Sequence, residues 1–240
     1  MRRRLLPFWN ERKAKVDMIV LHAVAYAPEQ AIKTFEAHQV SSHYLVGEDG
    51  EIWQLVGEKH RAWHAGSSVW QGCDDINSRS IGIEFCSSSL GQTPYSKAQL
   101  ETAFFLLRRL IRKYKIKQDK IVGHSDIAPS RKPDPGKAFF WKELAEKGIG
   151  LWYNLKDADK IDNVSVVELL KLIGYDVRDE SAAACAFCRR FLPERIESRP
   201  IDALIENPVQ EVLQTDEKFI KALKAAAYRY LNASKVPCKM

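Results

Sequence analysis

With 240 residues, 45% of them hydrophobic and 28% charged, the chain has enough apolar side chains for a packed core, which excludes a disordered polypeptide. The length suits one large domain, or a domain of about 150 residues with a smaller partner. The formal net charge of +6 permits anionic partners, carboxylate-bearing wall polymers as well as phosphates, without selecting among them. Basic residues are scattered apart from Arg2–Arg4 and Arg108–Lys117, with no stripe of them interleaved with aromatics, so nucleic acid is not an expected partner.

The chain starts MRRRLLPFWN, a basic stretch whose apolar part, Leu5 to Trp9, is too short for a signal peptide. The expectation is either a protein that stays inside the cell or one whose leader has been removed. No apolar run approaches the ~18 residues that suggest a membrane span. The cysteines, Cys73, Cys86, Cys185, Cys188 and Cys238, are odd in number, which argues against a complete disulfide framework. Cys185 and Cys188 form C-x-x-C in an Ala-rich helical stretch without a second pair or nearby His, so buried thiols are expected rather than a zinc knuckle.

Val16 to Ala23, VDMIVLHA, reads as a strand buried on both faces, with His22 near its C-terminal end. Pro28 opens a helix with Ala31, Ile32 and Phe35 on one face. Ser41 to Val56 reads as a hairpin turning at Asp49-Gly50. Residues 57 to 79 lack a clear period and read as a surface loop carrying Trp63 and Trp70. Ser80 to Cys86, SIGIEFC, is another buried strand, with Glu84 in its middle. A carboxylate there is costly unless paired or hydrogen-bonded.

Ser96 and Gln99 form a capping-box signature for a helix whose apolar face runs from Leu100 to Tyr114; its charged face reads as solvated. Ile121 and Val122 begin a short strand that breaks at Gly123 and delivers His124. The following Pro129, Pro133 and Pro135 make a stiff loop that carries Lys132 and Asp134 and is expected to form no helix. On that stretch alone, a cation site and a solvated turn fit equally. Strands alternating with helices imply an α/β fold with a mixed β-sheet flanked by helices. After Asn154 no strand pattern remains. Helices capped at Ser165, running from Ser181 to Leu192, and from Asp216 to Leu231, imply a small all-α C-terminal domain spanning 155–240 after a first domain at 1–154.

His22 and His124 each end a buried strand, the edge where ligands collect in α/β sheets. With Asp134 they offer two imidazoles and a carboxylate, the donor set of catalytic zinc with one position open. Glu84 is then placed to act as the base for a zinc-activated water, and Lys132 as the cation facing a developing oxyanion. The chemistry assembled this way is metal-assisted hydrolysis of an amide.

The segments LHAV at His22, SSHYLVGEDGEIWQLV from Ser41, RAWHAGSS from Arg61, INSRSIGIEF from Ile76 and VGHSDIAPSRKPDPG from Val122 together resemble the zinc-dependent N-acetylmuramoyl-L-alanine amidases of the AmpD/AmiD type. The resemblance covers roughly residues 15 to 150. It implies one Zn²⁺ held by His22, His124 and Asp134, with Glu84 and Lys132 catalytic. It also implies cleavage of the amide between N-acetylmuramic acid, or its 1,6-anhydro form, and L-alanine of the stem peptide, with peptidoglycan or muropeptide fragments as partners. A non-catalytic muropeptide-recognition module is the alternative. The family's loops imply substrate contacts from Trp63, His64 and Asn77, although a structural role fits each equally. His43, in the hairpin, reads as a core histidine or one lying behind a metal ligand. His38 and His60 read as surface residues, and Trp53 and Trp141 as core. The extra helices suggest the bacterial envelope; the free cysteines point to the cytoplasm instead.

Overall fold

The computed structural model describes residues 1–162, 164–208 and 216–235. In chain order the elements are β1 (Arg2–Arg3), β2 (Trp9–Glu11), β3 (Met18–Val24), α1 (Pro28–His38), β4 (Tyr44–Val46), β5 (Ile52–Gln54), β6 (His60–Ala62), α2 (Ile76–Arg79), β7 (Ser80–Cys86) and α3 (Lys97–Tyr114). There follow β8 (Ile121–Gly123), α4 (His124–Ile127), α5 (Trp141–Glu146), α6 (Val166–Ile173), α7 (Glu180–Phe191), α8 (Ile201–Glu206) and α9 (Glu217–Lys235).

Among the described residues one mixed sheet has the order β1-β5-β4-β7-β3-β8, with β3 parallel to both β7 and β8 and β4 antiparallel to β5. All seven residues of β3 and of β7 are buried, which explains their near-continuous apolar sequences. Side chains alternate across the sheet, so the two faces have different covers. Ile19, Leu21, Ile81, Ile83 and Phe85 pack against α3 and α5 through Leu107, Leu110 and Trp141. On the opposite face Met18, Val20 and Val122 join Leu169, Phe187, Leu223 and other residues of α6, α7 and α9 in one continuous core. Val24, at the end of β3, and Leu45 of β4 pack instead against Ala31, Ile32 and Phe35 of α1.

Local signals account for the helix starts. The Ser96 hydroxyl accepts from the Gln99 N–H and the Gln99 side chain accepts from the Ser96 N–H, both at 3.1 Å. Ser165 and Glu168 do the same for α6. The hairpin forms as expected, closing over Gly47 to Glu51, with Gly50 at φ 83 where a Cβ would crowd the Ala98 carbonyl.

Three expectations need correction. Residues 57–79 are not a surface loop: β6 pairs antiparallel with β2, α2 follows, and Trp70 is fully buried. The Trp70 indole N–H donates to the Asp119 carbonyl at 3.1 Å, and its ring meets Tyr175 and Tyr230 edge-on, partners too far along the chain to leave a local signature. Residues 124–127 form a helical turn, because the prolines begin only at Pro129 and the Asp126 carboxylate accepts the Gly123 N–H at 2.8 Å. Trp53 and His60 are half-buried, His60 stacking on Trp9, whereas Trp141 is core and His38 exposed. Cys86, Cys185 and Cys188 are buried thiols and Cys73 is half-buried; Cys238 lies outside the described residues.

Candidate metal centre and its cleft

Register brings the chemistry together. On the parallel pair β3–β7, His22 lies directly opposite Glu84, so both emerge on the same face near the C-terminal ends of their strands. β8 pairs with β3 one strand over and hands the chain to α4, whose first residue is His124. The loop that follows folds back, with the Ser125 N–H donating to the Asp134 carbonyl at 2.8 Å and the Lys132 N–H to the Ala128 carbonyl at 3.0 Å. Asp134 thus returns to the histidines.

The three donors converge. His22 Nδ1 is 3.0 Å from His124 Nδ1 and 3.4 Å from Asp134 Oδ2, and His124 Nδ1 is 3.1 Å from the same oxygen. Two ligand bonds of ~2.0–2.1 Å at a tetrahedral angle separate their donors by about 3.3 Å, so the spacing fits one zinc-sized cation. Burial, with His124 next in weight, pushes the His22 imidazole down to about 4, so it is neutral at pH 7. Burial alone would raise Asp134, but His124 and His22 outweigh it and hold its carboxyl well below the usual range. A neutral His22 and an ionised Asp134 are the protonation states a cation requires of them. The outer nitrogens are engaged too: His22 Nε2 lies 3.0 Å from His64 Nδ1, and His124 Nε2 lies 3.3 Å from the Ala65 carbonyl oxygen.

Glu84 stands 4.0 Å from His22 Nδ1 and is 9% exposed. Burial, then the neighbouring Asp134 carboxylate, raises its carboxyl well above the usual range, with Lys132 opposing. A carboxyl biased towards its protonated form is suited to taking up and returning a proton.

Glu84, His124 and Asp134, with His22 buried beside them, line a cavity of about 450 Å³ between the C-terminal end of α1 and the loops bearing Trp63 to Gly66 and Arg131 to Asp134. It lies where α1 and the C-terminal helices leave that sheet face uncovered. Lys132 and Trp63 line it, and the Trp63 indole N–H donates to Asn10 Oδ1 at 2.9 Å. His64 and Asn77 also line it, with both His64 ring nitrogens and Asn77 Oδ1 bonded within the protein. Asn77 Oδ1 accepts the backbone N–H groups of His64 and Ala65 at 3.0 and 2.8 Å. His43 sits one ring further out, meeting His64 edge-on rather than His22; its Nδ1 accepts the Gly82 N–H at 3.0 Å.

Sequence reasoning passed over Gly82 and Arg131. A glycine inside a buried strand signals close approach, here of the His64 ring. Arg131 donates to the carbonyls of Ala65 and Ser67 at the cavity rim.

A family model described as N-acetylmuramoyl-L-alanine amidase matches residues 12–137. The chain is 35% identical over 209 residues to the N-acetylmuramoyl-L-alanine amidase AmiD of Escherichia coli K12, covering 75% of this chain and 76% of that protein. It is 47% identical over 105 residues to the 1,6-anhydro-N-acetylmuramyl-L-alanine amidase AmpD of Enterobacter cloacae, covering 44% of this chain and 55% of that protein, about half its length. Among solved structures it resembles E. coli AmiD in complex with anhydro-N-acetylmuramic acid-L-Ala-D-gamma-Glu-L-Lys, with a TM-score of 0.73, 30% identity and coverage of 92% and 93% of the two chains. It also resembles AmpDh3 of Pseudomonas aeruginosa, with a TM-score of 0.76, 28% identity and coverage of 90% and 93%.

Proposed function

The chain belongs to the N-acetylmuramoyl-L-alanine amidase family, and from that membership we propose that it works with one zinc ion held by His22, His124 and Asp134, with Glu84 and Lys132 as its catalytic residues. It is an amidase that hydrolyses the bond between N-acetylmuramic acid, or its 1,6-anhydro form, and L-alanine of peptidoglycan stem peptides.

Zinc bound there would supply a nucleophilic water at neutral pH and polarise the amide carbonyl. Glu84 takes the proton of the attacking water on a carboxyl oxygen. It then passes that proton to the alanine nitrogen, so the amide C–N bond breaks to a carboxylic acid and a free amine. Holding the proton between these two transfers makes Glu84 base first and acid second. The Lys132 ammonium faces the oxygen on which negative charge develops. Trp63 forms part of the cleft wall against which the muropeptide lies.

One observation carries the reading: donor atoms of three residues from separate elements lie within 4.8 Å of one another, beside a buried glutamate. The envelope is the proposed compartment, because the chain carries the extra helices α6, α7 and α9 beyond the family-matched residues 12–137. Among the described residues no helix is long and apolar enough to cross a membrane. The test is to incubate the purified protein with an anhydro-muropeptide, with and without a chelator, and follow the stem peptide by mass spectrometry. Release that stops on chelation and returns with added zinc is expected. Zinc uptake with no release would make the protein a recognition module.

A further inference from the structure

The ring of His64 and the carbonyl of its neighbour Ala65 occupy the outer nitrogens of both histidine donors. A neutral imidazole has one N–H and one lone pair, so offering Nδ1 to a cation requires the proton on Nε2. His22 is 1% exposed, which leaves little water to receive that N–H. The acceptor within reach is His64 Nδ1, at 3.0 Å. His64 can accept there only if its own proton is on Nε2, and Ser80 Oγ lies 3.3 Å from that nitrogen. The Ser80 hydroxyl hydrogen is in turn directed at the Ile76 carbonyl, at 2.6 Å. All the donors in this chain run one way, ending on a backbone carbonyl that cannot reverse.

We infer that His64 is a positioning residue for the metal centre, fixing the tautomer and ring orientation of His22, and that the His64–Ala65 loop, clamped by Asn77, supports both histidine ligands from behind. The inference rests on the zinc reading above. Two further features of the fold serve the same arrangement. Asn77 Oδ1 holds the N–H groups of both loop residues, so one side chain sets the height of both supports. Gly82, opposite Val20 in the sheet, leaves the space that the His64 ring fills; a Cβ at position 82 would stand 2.5 Å from His64 Cγ and 2.7 Å from Nδ1. With both ring nitrogens spent inside the protein, His64 has no polar atom left to bond substrate. Ligand-supporting partners of this kind change metal affinity by roughly 10- to 100-fold when removed.

The measurement is zinc affinity, by competition against a chromophoric chelator, on folded metal-free protein. His64→Phe keeps a ring but removes the acceptor, and zinc affinity is expected to fall roughly 10- to 100-fold. His64→Asn places an amide oxygen near the Nδ1 position and is expected to recover most of that loss. Nitrogen-15 NMR of the zinc-loaded wild type needs no variant and should find His64 protonated at Nε2 with a bare Nδ1. Wild-type affinity in folded His64→Phe, or a proton on His64 Nδ1, overturns the inference while leaving the zinc reading intact. A wild type that takes up no zinc removes that reading and this inference with it.

Discussion

Replacing Asp126 with alanine should be among the most damaging single changes outside the ligand set, although Asp126 binds neither metal nor substrate in the proposed mechanism. Asp126 lies in α4, and its carboxylate is met by Arg190 of α7; both side chains are 1% exposed and the ion pair closes at 2.6 Å. The same carboxylate accepts the Gly123 N–H and the Tyr175 hydroxyl, each at 2.8 Å. Its removal would leave a buried guanidinium without a counter-charge, which costs ~3–5 kcal/mol. Two more donors would lose their acceptor, at ~1–3 kcal/mol each where water cannot replace it. Arg190 keeps the Ile121 carbonyl at 3.2 Å and the face of Trp141 at 4.0 Å, which holds the total at the lower end, about 5 kcal/mol. That is a large share of the ~5–15 kcal/mol available to a folded domain. Urea denaturation of the metal-free protein at pH 7 measures it, and Arg190→Met supplies the second arm of a double-mutant cycle. Asp126→Ala with Arg190→Met should be more stable than Asp126→Ala alone, because the stranded charge has gone. A cost below ~1 kcal/mol for Asp126→Ala, or no recovery in the double variant, would refute the view that this pair ties α7 to the metal-ligand turn.

Other expectations follow from the same geometry. Asp134→Ala should fold but lose zinc stoichiometry in metal analysis, since a ligand has gone; undiminished zinc content would remove Asp134 from the ligand set. Glu84→Gln should keep its zinc and lose ~10²–10⁴-fold in kcat, the range for a general base, and near-normal turnover would assign the proton to another group. The raised Glu84 carboxyl stabilises the metal-free fold below its unfolded pKa, an advantage lost as pH rises through the folded value, so metal-free Glu84→Gln should outlast wild type in urea at pH 8 but not at pH 4. His43 is pushed down to about 3 by burial first and by Arg12 second, so it is neutral when folded and its contribution is fully present above pH ~6.5. Stability should fall as pH drops from there towards 3, by about 2 kcal/mol at pH 5, and in His43→Gln the slope of stability against pH should lose about one proton over that window.

The parts of this protein legible in its sequence are those governed by neighbours in the chain. β3, β7 and β8 announce themselves as short apolar runs because strands buried on both faces need no polar alternation. α1, α3 and α6 are marked by Pro28, Ser96 and Ser165, whose effect on the first turn is local. Glu84 stood out because a carboxylate in an apolar strand demands a reason. Of the metal centre, the residue types and their places at strand ends were readable, together with the motifs from His22 to Asp134.

Tertiary structure decided which of those groups meet. Register, a property of two strands rather than one, put His22 beside Glu84. It took the folded chain to turn His64 towards His22 rather than the cleft, and to use Gly82 for the space that ring needs. Trp70 looked like a loop residue because the tyrosines that bury it, Tyr175 and Tyr230, come from the C-terminal helices. For the same reason those helices, legible one by one, gave no hint that Arg190 would reach the turn carrying His124. Periodicity and capping depend on residues a turn or two apart, whereas burial, ion pairing and donor convergence depend on which distant surfaces close on one another.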